Sequence, residues 1–419
     1  MRKIKKCFWA VMFFVFAGTG AVPAAAGAAE LTVWNMPSEA EEQYRKLWNE
    51  NVRNFQVRHP NIRIRGISRE YKPQEFVSVM ASGKGPDVVS IPITAVPAMA
   101  RHGFLADLNS KAEQWIQKDH LPAVMWNSVT IDGKIFAIPN DSFFTTLFIR
   151  KDVFKEYGIT KNPENWDDLI KISRIINGKD DGISSIVLPP DMFYFVDFIW
   201  QAGGDVYSGE NIVLTNPAVA KALKFWHSLK WKHNAMPPQN IIRQSDAEQL
   251  FSCGKTAMMP GVAKQLPVMA RRYGLDLEKV EIIPLPAGPE GIKAWHSGGT
   301  AFIVNSGIST EKKDMAWQYI RHVLNPIRQL WKYNRMKELD MIIFPGDFSA
   351  ATNLINMQEF KNVKGLIRYA QSEPPLYAWP MIKEDFNKYV LEKIFIEENI
   401  NIEKLLFEFD KLMRERNYE

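Results

Sequence analysis

The sequence has little cysteine: Cys7 and Cys253 are the two in 419 residues. Cys7 lies in an N-terminal segment that reads as removable, so the mature chain keeps Cys253 alone and forms no intramolecular disulfide. In an oxidising compartment such a chain depends on its apolar core. Net charge is nearly absent as well. The chain carries 52 Lys and Arg against 47 Asp and Glu, a formal +5, but its first 28 residues hold four positive charges and no acid. The remainder is close to neutral and has no long basic run, which removes the argument for nucleic acid. Beyond the N-terminus no apolar run is long enough to cross ~30 Å of hydrocarbon.

Catalytic signatures are also missing. There is no G-x-S-x-G elbow for a hydrolase serine. Gly254-Lys255-Thr256 resembles the end of a phosphate loop, yet Gln249 stands where the first glycine belongs, so a turn before a buried strand is the better reading. The seven histidines are scattered. His227 and His233 fall on different sides of a helix and make poor metal partners. In Asn177–Gly182, Lys179 occupies a position where a calcium loop needs an oxygen ligand. The sequence therefore predicts no cofactor and no metal site. Carboxylates are plentiful, and a glycosidase pair depends on a separation of about 5–10 Å that sequence does not give. That class stays open.

What is present begins at Met1-Arg2-Lys3-Ile4-Lys5-Lys6. The apolar run Cys7–Phe16 and the small residues through Ala29 follow. A basic head, a short apolar middle and an Ala-x-Ala exit predict a signal peptide over residues 1–28, cleaved near Ala28 or Ala29, and export to the periplasm or the medium. About 390 residues remain, too many for one core, so two lobes are expected.

Strand and helix patterns alternate along those residues. Leu31–Trp34 and Asp87–Ile91 read as buried strands. Ser38 to Glu41 form a capping box before a helix with Tyr44, Leu47, Trp48, Val52 and Phe55 on its apolar face. Thr215-Asn216-Pro217 places a cap before a first-turn proline. Pro380–Glu419 is nearly all helical, with Phe386, Val390, Ile394, Leu405, Leu406, Phe409 and Leu412 facing a core. The expectation is an α/β fold in which each lobe has a mainly parallel sheet flanked by helices.

Aromatic residues are plentiful: 13 Trp, 12 Tyr and 25 Phe. Trp34, Trp200, Trp295, Tyr377 and Trp379 stand at strand ends or beside glycine and proline turns, where a ring can face a cleft. The apolar C–H face of a sugar stacks on such rings, while its hydroxyls need fixed amide and carboxylate partners. Core packing is an equally good reading of any one of these rings.

Successive segments resemble the bacterial extracellular solute-binding proteins of the maltose-binding type, which feed ABC importers. They are Phe55–Ile64, Ala81–Val89, Gly103–Leu108, Asp132–Pro139, Leu147–Leu169, Phe251–Pro260, Ser297–Ser306 and Met315–Val323. Their order and spacing cover nearly the whole mature chain. Ile149-Arg150 and Cys253 depart from the family's usual residues, and Arg335–Ser372 matches poorly.

The resemblance implies a type II periplasmic-binding-protein fold with the ligand in a cleft between lobes. It assigns 29–139 with 296–344 to one lobe and 140–295 with 345–419 to the other. Crossings are expected near Pro139-Asn140-Asp141, Ala294-Trp295 and Phe344-Pro345-Gly346. It implies a monomer that closes on a mono- or oligosaccharide and docks on ABC permease subunits, without catalysis. The expected contacts are Trp34 and Glu39 from the first loop, Asn140 and Asp141 at the hinge, Trp200, Trp295, the Gly298 backbone, Tyr377 and Trp379. A polyamine, iron or phosphate-ester binder stays open, as does a secreted carbohydrate-active enzyme.

Overall fold

The computed structural model describes residues 27–69, 71–116, 118, 123–179, 182–209, 211–338, 348–349 and 367–416. The expected signal peptide lies outside them, apart from its last two residues, and so does the crossing at Phe344-Pro345-Gly346.

The first strand, Ala29–Trp34, pairs in parallel with Ile62–Ile67 and Val88–Pro92. Its alternate residues Leu31 and Val33 are buried with Ile62, Val88, Val89 and Ile91. The helices Glu42–Arg58 and Pro73–Ala81 link these strands, as right-handed crossovers between parallel strands require. The capping box forms: the Glu41 carboxylate accepts from the Ser38 backbone N–H at 3.0 Å and its hydroxyl at 2.8 Å. Leu47, Val52 and Phe55 face the core as expected, but Tyr44 is 43% exposed. It sits at the start of the helix, outside the stripe that meets the sheet. Asp87 fastens the strand starts by accepting from the Thr32 backbone N–H at 2.7 Å.

A second sheet orders its strands Val280–Pro284, Thr146–Arg150, Thr256–Gly261 and Ser184–Ile186. The helices Trp166–Asn177, Met192–Gln201 and Pro217–Trp231 belong to its core. Asn216 caps the last of these by accepting from Ala218 and Val219 backbone N–H at 3.0 and 3.1 Å. Phe386, Val390, Ile394, Leu405, Leu406 and Phe409 from the C-terminal helices complete this core; Leu412 is partly buried beside it.

Two strands join the sheets, and this decides the topology. Ile138–Phe144 begins in the first core with Ile138 and ends in the second with Phe144. Trp295–Val304 runs back, from Trp295 in the second core to Ala301–Val304 in the first. They pair antiparallel along their length. The sheets are therefore mixed rather than mainly parallel. Strands reached through a helical crossover run parallel, whereas strands that return between lobes meet their neighbours antiparallel. The helix Pro326–Glu338 also spans both units. Its Arg335 grips Glu50 of the first, with Nε and Nη2 at 3.0 and 3.1 Å, while Tyr333 packs in the second core.

Candidate functional site

The two bridging strands carry an irregularity at the junction. Thr300 pairs with Asp141 and Ala301 with Pro139, so Asn140 is an extra residue without an opposite number. A bulge of this kind re-aims a side chain. Here it turns the Asn140 amide to donate to Ser90 Oγ at 3.3 Å and Thr300 Oγ1 at 3.2 Å. Asp141 holds the bulge, its Oδ1 accepting from the Thr300 backbone N–H at 2.6 Å and hydroxyl at 2.9 Å. The chain comes so close at Gly299 that a Cβ there would collide with the Asp141 carbonyl oxygen.

The first strand ends nearby. Asn35 adopts a positive φ of 66° and its Oδ1 accepts from the Ser90 N–H at 2.7 Å. That turn leaves the Trp34 ring edge-on to Phe76, with the Arg69 guanidinium 4.7 Å above it.

Trp34, Asn35, Ser90 and Asn140 line a cavity of about 220 Å³, roofed by Tyr44 and Trp48 from the helix Glu42–Arg58 and by Arg328 and Trp331 from the spanning helix. Its described lining has several aromatic rings, amides and a hydroxyl, two cations and no carboxylate. Such a wall can stack a ring and hydrogen-bond its hydroxyls. A larger groove of about 670 Å³ lies between the helices Pro217–Trp231 and Ile402–Arg416 on the second lobe and includes none of the expected site residues.

Across the junction, Phe143 and Phe193 stand 5.4 Å apart, both half-buried, with His296 edge-on to each at 5.4 and 4.8 Å. Lys264 holds its ammonium 5.0 Å from the Phe143 ring. The His102 ring of the first lobe contacts Tyr377 of the second at 6.2 Å. Behind His296 lies a buried polar cluster. Asp197 Oδ1 accepts from the Thr145 hydroxyl at 2.9 Å and from the His296 backbone N–H. Burial pushes its pKa well above the usual carboxylate range. His296 is pulled down by burial, against the attraction of Glu373 at 4.0 Å. Glu373 stays ionised because Lys383 binds both its oxygens at 2.7 and 2.8 Å. Among the described residues no group of three or more His, Cys, Asp or Glu is placed to hold a metal ion.

The expected contacts separate. Asn140 lines the cavity and Asp141 supports it, while Trp34 borders the cavity but is itself packed in the first core, 5% exposed, with Arg69 over its ring. Gly298 permits a close approach, but to the Phe143 ring that a Cβ would strike. Tyr377 is half-buried between the lobes. Four contacts are corrected. Trp295 (1% exposed) packs edge-on to Tyr369, Trp379 (0%) opens a buried helix, and Trp200 (5%) spends its indole N–H on Asp205 at 3.0 Å. None has an open face for stacking. The Glu39 side chain is 92% exposed, lies 3.9 Å from Arg45, and lines none of the described cavities. Sequence reasoning missed Asn35, Ser90, Trp331, Phe143 and Phe193. The doublet Phe143-Phe144 directly after the expected crossing was the available signal for one of them.

Two mixed α/β lobes joined by antiparallel strands define the type II fold of periplasmic binding proteins. The likeness extends to solved structures. The GacH receptor of Streptomyces glaucescens, crystallised unliganded and with acarbose, superposes with a TM-score of 0.75 at 18% identity over 94% of this chain and 100% of that one. UgpB of Mycobacterium tuberculosis, solved with glycerophosphocholine, gives 0.72 at 17% identity over 93% and 98%. In sequence, the family described as bacterial extracellular solute-binding protein matches residues 38–329. The chain belongs to that family. The diacetylchitobiose binding protein DasA of Streptomyces coelicolor is 26% identical over 265 residues, 60% of this chain and 59% of that one. The first curated relatives are 22% identical, and the chain spans 64% of their length.

Proposed function

We propose that this protein captures a small hydrophilic solute, a mono- or oligosaccharide, outside the cytoplasm and delivers it to the permease subunits of an ABC importer. The observation that carries this reading is the cavity of the first lobe beside the bridging strands, where aromatic rings and the amides of Asn35 and Asn140 converge. It agrees with the oligosaccharides in the names of DasA and GacH. The absence of carboxylates from the described cavity lining weighs against a polyamine or ferric ligand, which would call for several acids. Family members bind rather than transform their ligands, and the same is proposed here.

Capture works by closure. Two bridging strands make a narrow hinge between lobes with separate cores. A solute touching both lobes favours the closed state by its differential affinity for it. We place Trp34, Asn35 and Asn140 at the ligand, Phe143 and Phe193 on the opposing wall, and Tyr377 where the lobes meet. Lobe limits near 139/140 and 295/296 are supported by the change of core within each bridging strand; the limit at 344/345 is proposed from the sequence alone. Export through a cleaved segment 1–28 belongs to the same proposal.

A thermal-shift screen of the mature protein against saccharides, polyamines and phosphate esters tests this, since a ligand of the folded state raises the melting temperature by mass action. The expected result is a shift with at least one saccharide. A shift with polyamines and none with any saccharide contradicts the reading.

A further inference from the structure

Arg328 sits on the spanning helix Pro326–Glu338, lines the cavity, and lays its guanidinium 4.2 Å from the Trp331 ring. Stacking uses the face of the group and leaves its in-plane donors unspent. Two of them, Nε–H and Nη2–H, are buried and have no acceptor among the described residues. They lie side by side on one edge, the fork that grips a carboxylate or phosphate with two parallel hydrogen bonds.

The same chain shows what that edge does when an acid is present. Arg150 places Nε and Nη2 on the two oxygens of Asp152 at 2.9 and 2.6 Å. Arg335, two turns along from Arg328, places the same pair on Glu50. Among the described residues Arg328 has no such partner, and burial together with the charge of nearby Arg58 disfavours its ionised form, while the neighbouring His322 is kept neutral by burial and by Arg328. Lys332 adds a further positive charge at the cavity wall. Leaving a buried donor without an acceptor is costly, so the unpartnered edge of Arg328 is an expensive arrangement unless an anion completes it.

We infer that the captured saccharide carries an oxyanion, a carboxylate or a phosphate, and that Arg328 is the residue that selects it. This rests on the proposed solute-binding function and narrows its ligand class. At about 220 Å³ the cavity lies below the roughly 300–1,000 Å³ of drug-sized sites, which suits a single acidic ring better than a chain. A site built to satisfy a buried polar group rejects the analogue that lacks the matching group.

The test is calorimetric titration of the mature protein with matched pairs: glucose against glucuronate, galactose against galacturonate, and glucose against glucose 6-phosphate. The acid member of at least one pair is expected to bind at least about tenfold more tightly than its neutral counterpart. The uronate and phosphate arms identify which oxyanion is taken. Arg328→Gln should bring that ratio to within about twofold. If that variant does not fold, Arg328→Lys, which keeps the charge but loses the fork, should lower the ratio severalfold. Equal or tighter binding of the neutral sugars, or a ratio untouched by both variants, overturns this inference and leaves the solute-binding reading standing. Failure of every saccharide, neutral or acidic, overturns both.

Discussion

Trp34 and Trp295 make the same impression in the sequence and both end in a core, but Trp34 also borders a cavity. Each stands at one end of a strand beside a turn-forming residue. Trp34 closes the first strand, and the positive-φ turn at Asn35 brings it against the cavity under the roof of a helix. Trp295 opens a bridging strand on the second lobe, where Tyr369 and a large helical core seal it. Local chain geometry is thus similar, and what differs is the layer above the strand end. In the first lobe that layer leaves a cavity beside the buried ring; in the second, no described cavity includes Trp295.

The contrast predicts a ladder of effects. Trp295→Ala removes a fully buried ring and should cost about 3–5 kcal/mol in denaturant unfolding, because the core cannot collapse around the hole. A stable variant with lost binding would reverse our assignment of this ring. His322, in the first lobe, is next. Burial first, then the charge of Arg328, pulls its pKa from 6.5 down to about 4. Folding therefore favours its neutral form. That contribution is complete above pH 6.5 and is lost as the pH falls toward 4, by up to about 2 kcal/mol. His322→Gln should flatten the acid limb of stability against pH; an unchanged limb assigns the slope to other groups.

Asn140→Ala should weaken saccharide binding about tenfold, the loss expected when a cavity amide no longer meets a hydroxyl, with a stability cost near 1 kcal/mol. Paired calorimetry and thermal melting would separate the two. Loss of stability without loss of affinity would make Asn140 a bulge residue and nothing more. Glu39→Gln should change stability by less than about 0.5 kcal/mol and leave affinity alone, as befits an exposed side chain with a distant partner. Any affinity change there would move the site toward the first loop.

Much of the fold was legible because it follows from local rules. The capping box at Ser38 and the Asn216 cap appear where their spacing demands, and the apolar residues from Phe386 to Phe409 reach the core, although the helix breaks between Ile396 and Ile402. The antiparallel return of the bridging strands was not legible, since pairing direction depends on residues more than a hundred positions apart. The candidate site was read in part. Trp34 and Asn140 were found because a strand end and an expected crossing mark them. Ser90, Trp331 and Phe193 come from three distant segments with no shared local signal. Trp200, Trp295 and Trp379 misled because a ring beside a turn looks the same from the sequence whether a helix covers it or a cleft opens on it.

The central claim is that solute binds between the lobes and draws them together about the two bridging strands. Small-angle scattering of the mature protein, with and without a saturating saccharide taken from the thermal-shift screen, addresses it directly. The account predicts a smaller radius of gyration in the complex, and a contraction that needs about tenfold more ligand in Asn140→Ala. A saccharide that raises the melting temperature while the radius stays constant would contradict closure as the mechanism of capture.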